Sequence, residues 1–217
     1  MRRFFVDRME EVVDEEKKVK HSALSNELIG VLDDASKVQK LNKGLSAEDL
    51  QLVEECFDPI VQSGATISTK LSAQSNSDAM RSDIVTCSLG VRFKSYCSHV
   101  ARTFMFDPVQ KVQDAYVLLQ SLQEELITKH VRPGKSFADV SRAARSFVQE
   151  RDPTLLPHLS KNVGHGVGLE IRDSSQVIGE KNQAMIRPGS TLTICVSFAD
   201  VPLSEAQRKS RGAKFDV

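Results

Sequence analysis

The segment GHGVGLEIRD, residues 164–173, constrains the fold more than any other part of the chain. Its glycines stand at alternate positions, 164, 166 and 168, in a stretch that is predicted as a strand. Phosphate-binding glycine-rich loops precede a helix, so that interpretation does not apply here. Glycines within a strand permit close backbone approach. We therefore expect His165 to lie beside a groove.

Three helices are predicted before residue 62. The first covers residues 3–20 as an exposed amphipathic helix. Ser22 is the predicted N-cap of the second helix, and Ser46, with Asp49 as the capping-box acid, is that of the short third. The apolar faces of these helices are marked by Phe5, Met9, Val12, Leu24, Leu28, Val31, Leu32, Leu50 and Val53.

The middle and end of the chain predict a loop, a hairpin, two helices and two strands. The loop covers residues 62–82, and residues 84–106 form a hairpin that turns near Lys94 and Ser95. A helix begins with Asp107 as N-cap and Pro108 at the next position. A further helix is capped by Ser136, with Val140, Ala144, Phe147 and Val148 on its buried side, and the strand candidates lie at residues 164–174 and 190–198.

This order predicts an α+β fold. A curved antiparallel sheet is covered by helices on one face, and the elements follow a pseudo-twofold ααββ–ααββ order.

Charge and cysteine usage exclude several classes of function. Lysine plus arginine and aspartate plus glutamate each number 29, so the net charge is zero and direct DNA binding is not expected. No apolar run approaches the roughly 20 residues that span a bilayer. The four cysteines form no CxxC pair, which favours free thiols in a reducing compartment.

Four segments in order resemble the motifs of the pita-bread metallopeptidases, the family of methionine aminopeptidase, prolidase, aminopeptidase P and creatinase. They are CSLG at 87–90, YCSHVARTF at 96–104, GHGVGLEIR at 164–172 and RPGSTLTICVSF at 187–198. The resemblance covers most of the chain beyond residue 22. It implies the creatinase/aminopeptidase-like fold.

The resemblance also implies where a pair of divalent ions would be held. The family uses two aspartates, one histidine and two glutamates, because carboxylates neutralise the cations and position the attacking water. At the matching positions this chain has, in that order, Ser88, His99, His165, Cys195 and Phe215. The family's substrate-contacting histidine is replaced by Arg172. Only His165 is retained, so we expect a relic groove with no metal, no cofactor and no catalysis of the family's kind.

Other chemistry at these positions is weighed against that expectation. His99, His165 and Cys195 are donors that zinc accepts, which leaves a single-ion site as an alternative. Arg172 and Lys94 would oppose it by placing positive charge nearby. Ser98 and His99 are adjacent on a strand and point to opposite faces, so they are not expected to act together as nucleophile and base.

Within this family, several stretches look like the N-terminal peptidase-like domain of the large subunit of the histone chaperone FACT. They are DEEKKVKHSALS at 14–25, DPIVQSG at 58–64, GVRFKSYCSHVARTFMFDP at 90–108, LQEELIT at 122–128 and GLEIRDSS at 168–175. The retained His165 departs from that branch. The resemblance implies that residues 1–21 form a helix leading in from a missing N-terminal lobe, and that residues 22–217 form the peptidase-like C-terminal lobe, truncated at its last strand.

The resemblance further implies a function. It is a non-catalytic, nuclear and chromatin-associated domain that binds core histones, including the tetramer-forming pair, during nucleosome reorganisation in transcription and replication. The small FACT subunit would be bound through other parts of the full-length chain, and other chromatin or replication proteins are further expected partners. The alternatives are a divergent metallo-aminopeptidase or prolidase-like enzyme with a rebuilt metal site, and a docking platform that binds no histones.

Overall fold

The computed structural model describes residues 2–15, 17–41, 44–64, 67–70, 72–81, 83–202 and 214–215. The side chains of residues 2, 3, 41, 47, 214 and 215 lie outside this description. The chain divides into two compact units, Met1–Phe106 and Asp107–Val217.

The first unit consists of helices followed by an antiparallel sheet. The helices are α1 (Arg2–Asp14), α2 (His21–Leu32), α3 (Ala35–Leu41) and α4 (Ala47–Leu50), and the strands are β1 (Val53–Ser63), β2 (Ile84–Phe93) and β3 (Tyr96–Met105). Strand β2 lies between β1 and β3.

Helices α1 and α2 pack against the sheet through a shared apolar core. Phe5 and Met9 on α1 are buried, as is Leu28 on α2, and they belong to one cluster with Val61 and Val85 of the strands. The predicted apolar face of the first helix is therefore confirmed, but the predicted range 3–20 was too long, since the helix ends at Asp14. Because that face is covered, α1 is an integral part of this unit.

The hairpin of β2 and β3 is confirmed at its predicted turn. Lys94 and Ser95 both have positive φ, 48° and 70°. Positive φ at both central residues is the geometry of a two-residue hairpin turn whose twist matches the strands. The strands pair without interruption from Phe93–Tyr96 to Ile84–Met105.

Strand β1 was not predicted. Val53, expected on a helix, begins this strand, whose pairing with β2 shifts between Glu55 and Phe57 and again between Phe57 and Ile60. Such bulges interrupt the alternation from which strands are recognised. The predicted cap of α2 was also wrong, since the N-cap position is Lys20 and has no side-chain cap.

A buried histidine joins three segments of the first unit. His21 is 3% exposed. Its Nδ1 lies 2.6 Å from Asn76 Oδ1, and its Nε2 lies 2.7 Å from Ser63 Oγ. Ser63 Oγ also accepts the backbone N–H of Arg81 at 2.7 Å, so its own hydrogen is available to His21 Nε2. The imidazole thereby ties the start of α2 to the end of β1 and to the segment 76–81.

The second unit again places helices before short antiparallel strands. It contains α5 (Gln110–Glu125), a π-helical turn (Leu126–His130), α6 (Phe137–Arg151), a 3-10 helix (Pro153–His158), β4 (Gly164–Gly166), a short 3-10 turn (Ser174–Gln176), β5 (Leu192–Ile194), β6 (Val201–Pro202) and β7 (Lys214–Phe215). Strand β4 pairs with β5, and β6 with β7.

Both strands at the predicted glycine-rich and C-terminal segments are shorter than expected. The segment 164–174 contributes only β4, because the chain turns back so that Asp173 N–H bonds to the Gly166 carbonyl at 2.9 Å. The predicted N-cap Asp107 was wrong as well, since α5 begins two residues later than predicted, with Val109 as N-cap. The predicted buried face of α6 is confirmed for Val140, Ala144, Phe147 and Val148.

In both units helices are followed by strands. The described part of the first unit has four α-helices and three strands, which is two helices and one strand more than the predicted ααββ. The mixed content of helices and antiparallel strands confirms the α+β class. Within the described ranges, no helix is both long and apolar enough to cross a membrane.

The predicted capping box at Ser46 and the predicted N-cap at Ser136 are both present, and Ser136 also forms a capping box. Ser46 caps α4 with Asp49, and Ser136 caps α6 with Asp139. Hydrogen bonds from the backbone and hydroxyl of Ser136, together with Arg142, lower the pKa of Asp139 to about 2.

Replacing Ser136 by alanine is expected to lower the free energy of unfolding by about 1 kcal/mol, because one N-terminal N–H of α6 loses its acceptor. The folded-state pKa of Asp139 is depressed, so its contribution is present above about pH 4 and is lost as the pH falls toward 2. Urea unfolding at pH 7 and at pH 3 measures both effects. An equal cost of S136A in wild-type and D139N backgrounds would contradict the reciprocal cap.

Candidate functional site

Ser88 and His99 form a hydrogen-bonded pair on one face of the first unit's sheet. Ser88 lies on β2 opposite Ala101, and His99 lies on β3 opposite Gly90. Ser88 Oγ is 2.8 Å from His99 Nε2. The side chains at the two expected aspartate positions therefore contact each other directly.

An aromatic ring closes one side of this pair. Phe57, next to the bulge in β1, is the pairing partner of Gly90. A Cβ on Gly90 would lie 2.3 Å from the Phe57 ring, so only glycine permits the ring to lie there. The Phe57 and His99 rings meet edge to face, with centroids 5.7 Å apart. This contact was missed from the sequence because β1 itself was not predicted.

His165 and Cys195 lie close along the pairing of β4 and β5 in the second unit. His165 is buried, pairs with Thr193, and has its Nδ1 3.0 Å from the Gly166 carbonyl oxygen. Since a carbonyl only accepts, this contact assigns a hydrogen to Nδ1. The residue after β5, Cys195, donates its N–H to the Val163 carbonyl at 3.0 Å. Burial raises the pKa of its thiol, so the thiolate that a metal requires is disfavoured.

Close backbone approach is present at two of the three glycines. A Cβ on Gly164 would lie 2.3 Å from the Thr193 carbonyl oxygen, and one on Gly166 would lie 2.7 Å from Gln176 Cβ. Gly168 has nothing within 4 Å of that position. The expected close packing around His165 is thus present at Gly164 and Gly166 and absent at Gly168.

The remaining predicted positions lie elsewhere in their units. Arg172 is exposed in the turn between β4 and the short 3-10 helix. Lys94 is at the hairpin tip, where its ammonium lies 2.9 Å from Asp49 Oδ1. The backbone of Phe215 pairs with Val201, and its side chain lies outside the described residues.

The metal pair implied by the fold family does not fit these residues. The first two carboxylate positions carry Ser88 and His99, and His99 Nε2 is already engaged by the Ser88 hydroxyl. A serine hydroxyl and an imidazole supply no negative charge to bridge two hard divalent ions. Across the described ranges, no group of three or more histidine, cysteine, aspartate or glutamate side chains is arranged to hold an ion.

The Ser88–His99 contact also bears on nucleophilic chemistry. A serine–histidine hydrogen bond is the first part of a nucleophile and base arrangement, which further requires a group that orients the base. The ring contact that the structure gives to His99 is the edge-to-face packing on Phe57. The hydroxyl that bonds to His99 is that of Ser88 on the facing strand.

The fold and these positions define a class of protein. The chain matches metallopeptidase family M24 over residues 8–215, and it belongs to that family. The predicted pita-bread fold is thereby confirmed.

Its curated relatives are subunits of the FACT complex. The chain is 36% identical over 203 residues to FACT complex subunit SPT16 of Mycosarcoma maydis, covering 91% of this chain and 20% of that protein. It is 36% identical over 215 residues to FACT complex subunit ctc-2 of Neurospora crassa, covering 95% and 20%. The chain thus spans about a fifth of the length of these relatives.

Solved structures of a FACT subunit domain and of an aminopeptidase are both similar to this chain, to different degrees. The N-terminal domain of FACT complex subunit SPT16 from Cicer arietinum superposes with a TM-score of 0.90 at 33% identity, over 100% of this chain and 50% of that one. The X-Pro aminopeptidase from Thermotoga maritima gives a TM-score of 0.69 at 19% identity, over 98% and 53%. The second likeness shows the fold alone. The resemblance to the SPT16 N-terminal domain is confirmed.

Proposed function

We propose that this chain is a non-catalytic, histone-binding interaction domain of a FACT-type histone chaperone that reorganises nucleosomes during transcription and replication. The observation that carries the proposal is its 36% identity to FACT complex subunits over more than nine-tenths of its length. The proposal includes a chromatin-associated, nuclear location, which these relatives support. Core histones, including the tetramer-forming pair, are the proposed ligands.

The loss of catalysis is supported by side-chain chemistry. A dinuclear hydrolase requires carboxylates that hold two ions and a bridging water. Ser88 and His99 instead bond to each other, and Cys195 has a raised thiol pKa. The pattern supports a peptidase fold that is retained for binding.

We further propose that the former metal and substrate positions contact the bound peptide. Extended peptides are recognised through main-chain hydrogen bonds and side-chain pockets, neither of which requires a catalytic residue. Ser88 and His99 offer a hydroxyl and an imidazole in the first unit, and Arg172 is exposed in the second. The proposed contact set is Ser88, His99, His165, Arg172, Cys195 and Phe215.

In this proposal, parts of the full-length protein outside this chain bind further partners. The small FACT subunit binds outside this chain, and other chromatin or replication proteins are additional partners. The division into a leading segment, 1–21, and a peptidase-like lobe, 22–217, also stays a proposal.

Purified chain is expected to bind core histones at physiological salt, measured by fluorescence anisotropy with labelled H3–H4. The H99A variant is expected to weaken binding at least about fivefold, the size of a single interface contact of about 1 kcal/mol. K161A, at an exposed lysine, is the matched control and should bind as the wild type does. Absence of histone binding would overturn the histone part, and recovery of chaperone or replication proteins without histones would favour the docking platform.

A divergent metallo-aminopeptidase is the second candidate, because His165 is retained within an intact GHG. It predicts hydrolysis of Xaa-Pro dipeptides in the presence of manganese or cobalt. That activity must disappear in H165A to be assigned to this chain. Turnover with such dependence would replace the non-catalytic proposal.

A further inference from the structure

Two Arg-Pro-Gly turns lie side by side in the second unit. Arg132-Pro133-Gly134 and Arg187-Pro188-Gly189 each end in a glycine with positive φ, 85° and 82°. In each, the N–H of the next residue bonds to the arginine carbonyl at 3.2 Å. Proline followed by a positive-φ glycine defines a type II turn.

Backbone hydrogen bonds hold the two turns together. Gly134 N–H bonds to the Ile186 carbonyl at 3.2 Å, and Ile186 N–H bonds to the Lys135 carbonyl at 2.8 Å. The backbones of both segments are therefore held in place by hydrogen bonds to each other. Their side chains project from a rigid base, which limits the conformational entropy lost on binding a partner.

The first turn is anchored by its own arginine. Arg132 Nη1 donates to the carbonyls of Ile127 and Val131, each at 2.8 Å, and Nη2 donates to that of Thr128. The carbonyls of Ile127 and Thr128 belong to the π-helical turn that follows α5, and Val131 is its C-cap, so a cation is favourable at this helix end. The guanidinium retains its positive charge, because carbonyl oxygens do not neutralise it.

Positive charge exceeds negative charge on this surface. Lys129 and His130 both face Glu125, at 2.9 Å and 3.6 Å. Asp139 pairs with Arg142 and caps α6. Lys135 and Arg187 are exposed, and in the described parts of the chain neither forms a salt bridge.

Apolar side chains are exposed on the chain segments that adjoin the two turns. Met185, next to Ile186, is 52% exposed, and Ile127, whose carbonyl binds Arg132, is 49% exposed. A phosphate backbone has no apolar surface to bury against such side chains, whereas a peptide with apolar residues does. The zero net charge also supplies no long-range attraction for a polyanion such as DNA.

We propose that the two Arg-Pro-Gly turns form a docking surface for an acidic peptide that carries apolar side chains. Lys135, Arg187 and Arg132 attract its carboxylates, and Met185 and Ile127 cover its apolar residues. The surface has the wrong charge for basic histone tails, so it is separate from the proposed histone function and does not depend on it.

The test uses a short fluorescein-labelled peptide in which leucine interrupts runs of glutamate and aspartate, with labelled duplex DNA as the second probe. K135E/R187E is expected to weaken peptide binding by about tenfold or more, because two attractive contacts become repulsive. K161E, an exposed lysine on a different backbone segment, is the control and should bind as the wild type does. Circular dichroism confirms folding, and K135Q/R187Q replaces the double variant if that variant does not fold.

Peptide binding that is lost in the double variant and kept in K161E supports the proposal. No binding of the peptide, equal binding by the double variant, or tighter binding of the DNA would overturn it. Histone binding by the double variant at wild-type affinity separates this surface from the proposed function.

Discussion

The His21→Ala variant is expected to lose about 2–4 kcal/mol of the free energy of unfolding. His21 is 3% exposed and hydrogen bonds to both Asn76 and Ser63. Alanine leaves a cavity and removes the acceptor of the buried Ser63 hydroxyl. Urea unfolding followed by far-ultraviolet circular dichroism measures the loss, since the chain has no tryptophan to report it.

Ser22→Ala is the matched control for His21→Ala. Ser22 is the next residue, lies on the same helix α2, and does not occupy its N-cap. Its replacement is expected to change stability by less than about 0.5 kcal/mol. A large loss in S22A, with a small one in H21A, would show that the serine caps the helix and that the histidine network contributes little.

The Gly164→Ala variant is expected to have a free energy of unfolding about 3 kcal/mol lower than that of the wild type. The added Cβ would lie 2.3 Å from the Thr193 carbonyl oxygen and 3.0 Å from Ile178 Cδ1. Since the first of these atoms is backbone in the facing strand, β4 and β5 must separate. The backbone φ of 157° is also unfavourable for residues with a side chain. Hydrogen exchange at the Cys195 amide, which bonds to Val163, should accelerate together with the drop in the urea midpoint.

Gly168→Ala provides the comparison within the same segment. Nothing lies within 4 Å of a Cβ at Gly168. Its replacement is expected to be neutral within about 0.5 kcal/mol. Equal losses in G164A and G168A would show that the glycines act through chain flexibility instead of close packing.

Turns and helix caps could be predicted from the sequence where a few neighbouring residues determine them. The hairpin turn at Lys94 and Ser95, the capping box at Ser46 and the N-cap at Ser136 are of this kind. The caps predicted at Ser22 and Asp107 were wrong because each N-cap lies two positions away, at Lys20 and Val109, beside backbone contacts to distant segments. Strand β1 was missed because its two bulges remove the regular alternation.

The contacts among candidate site residues were predictable only in part. A two-residue turn at residues 94–95 sets the register that places His99 opposite Gly90, with Ser88 two residues away on the same face. That register was available from the sequence and identifies Ser88, and not Ser98, as the histidine's hydroxyl partner. The Phe57 ring was not available, because its position depends on a bulge set by pairing with β2.

Metal content after equilibration tests the loss of the peptidase site most directly. The chain is incubated with manganese, cobalt or zinc, desalted, and assayed by inductively coupled plasma mass spectrometry beside an active prolidase treated identically. We expect no ion at stoichiometric level, because Ser88 and His99 replace two carboxylates and bond to each other. A stoichiometric ion in the wild-type chain that is lost in H165A would contradict a non-catalytic interaction domain.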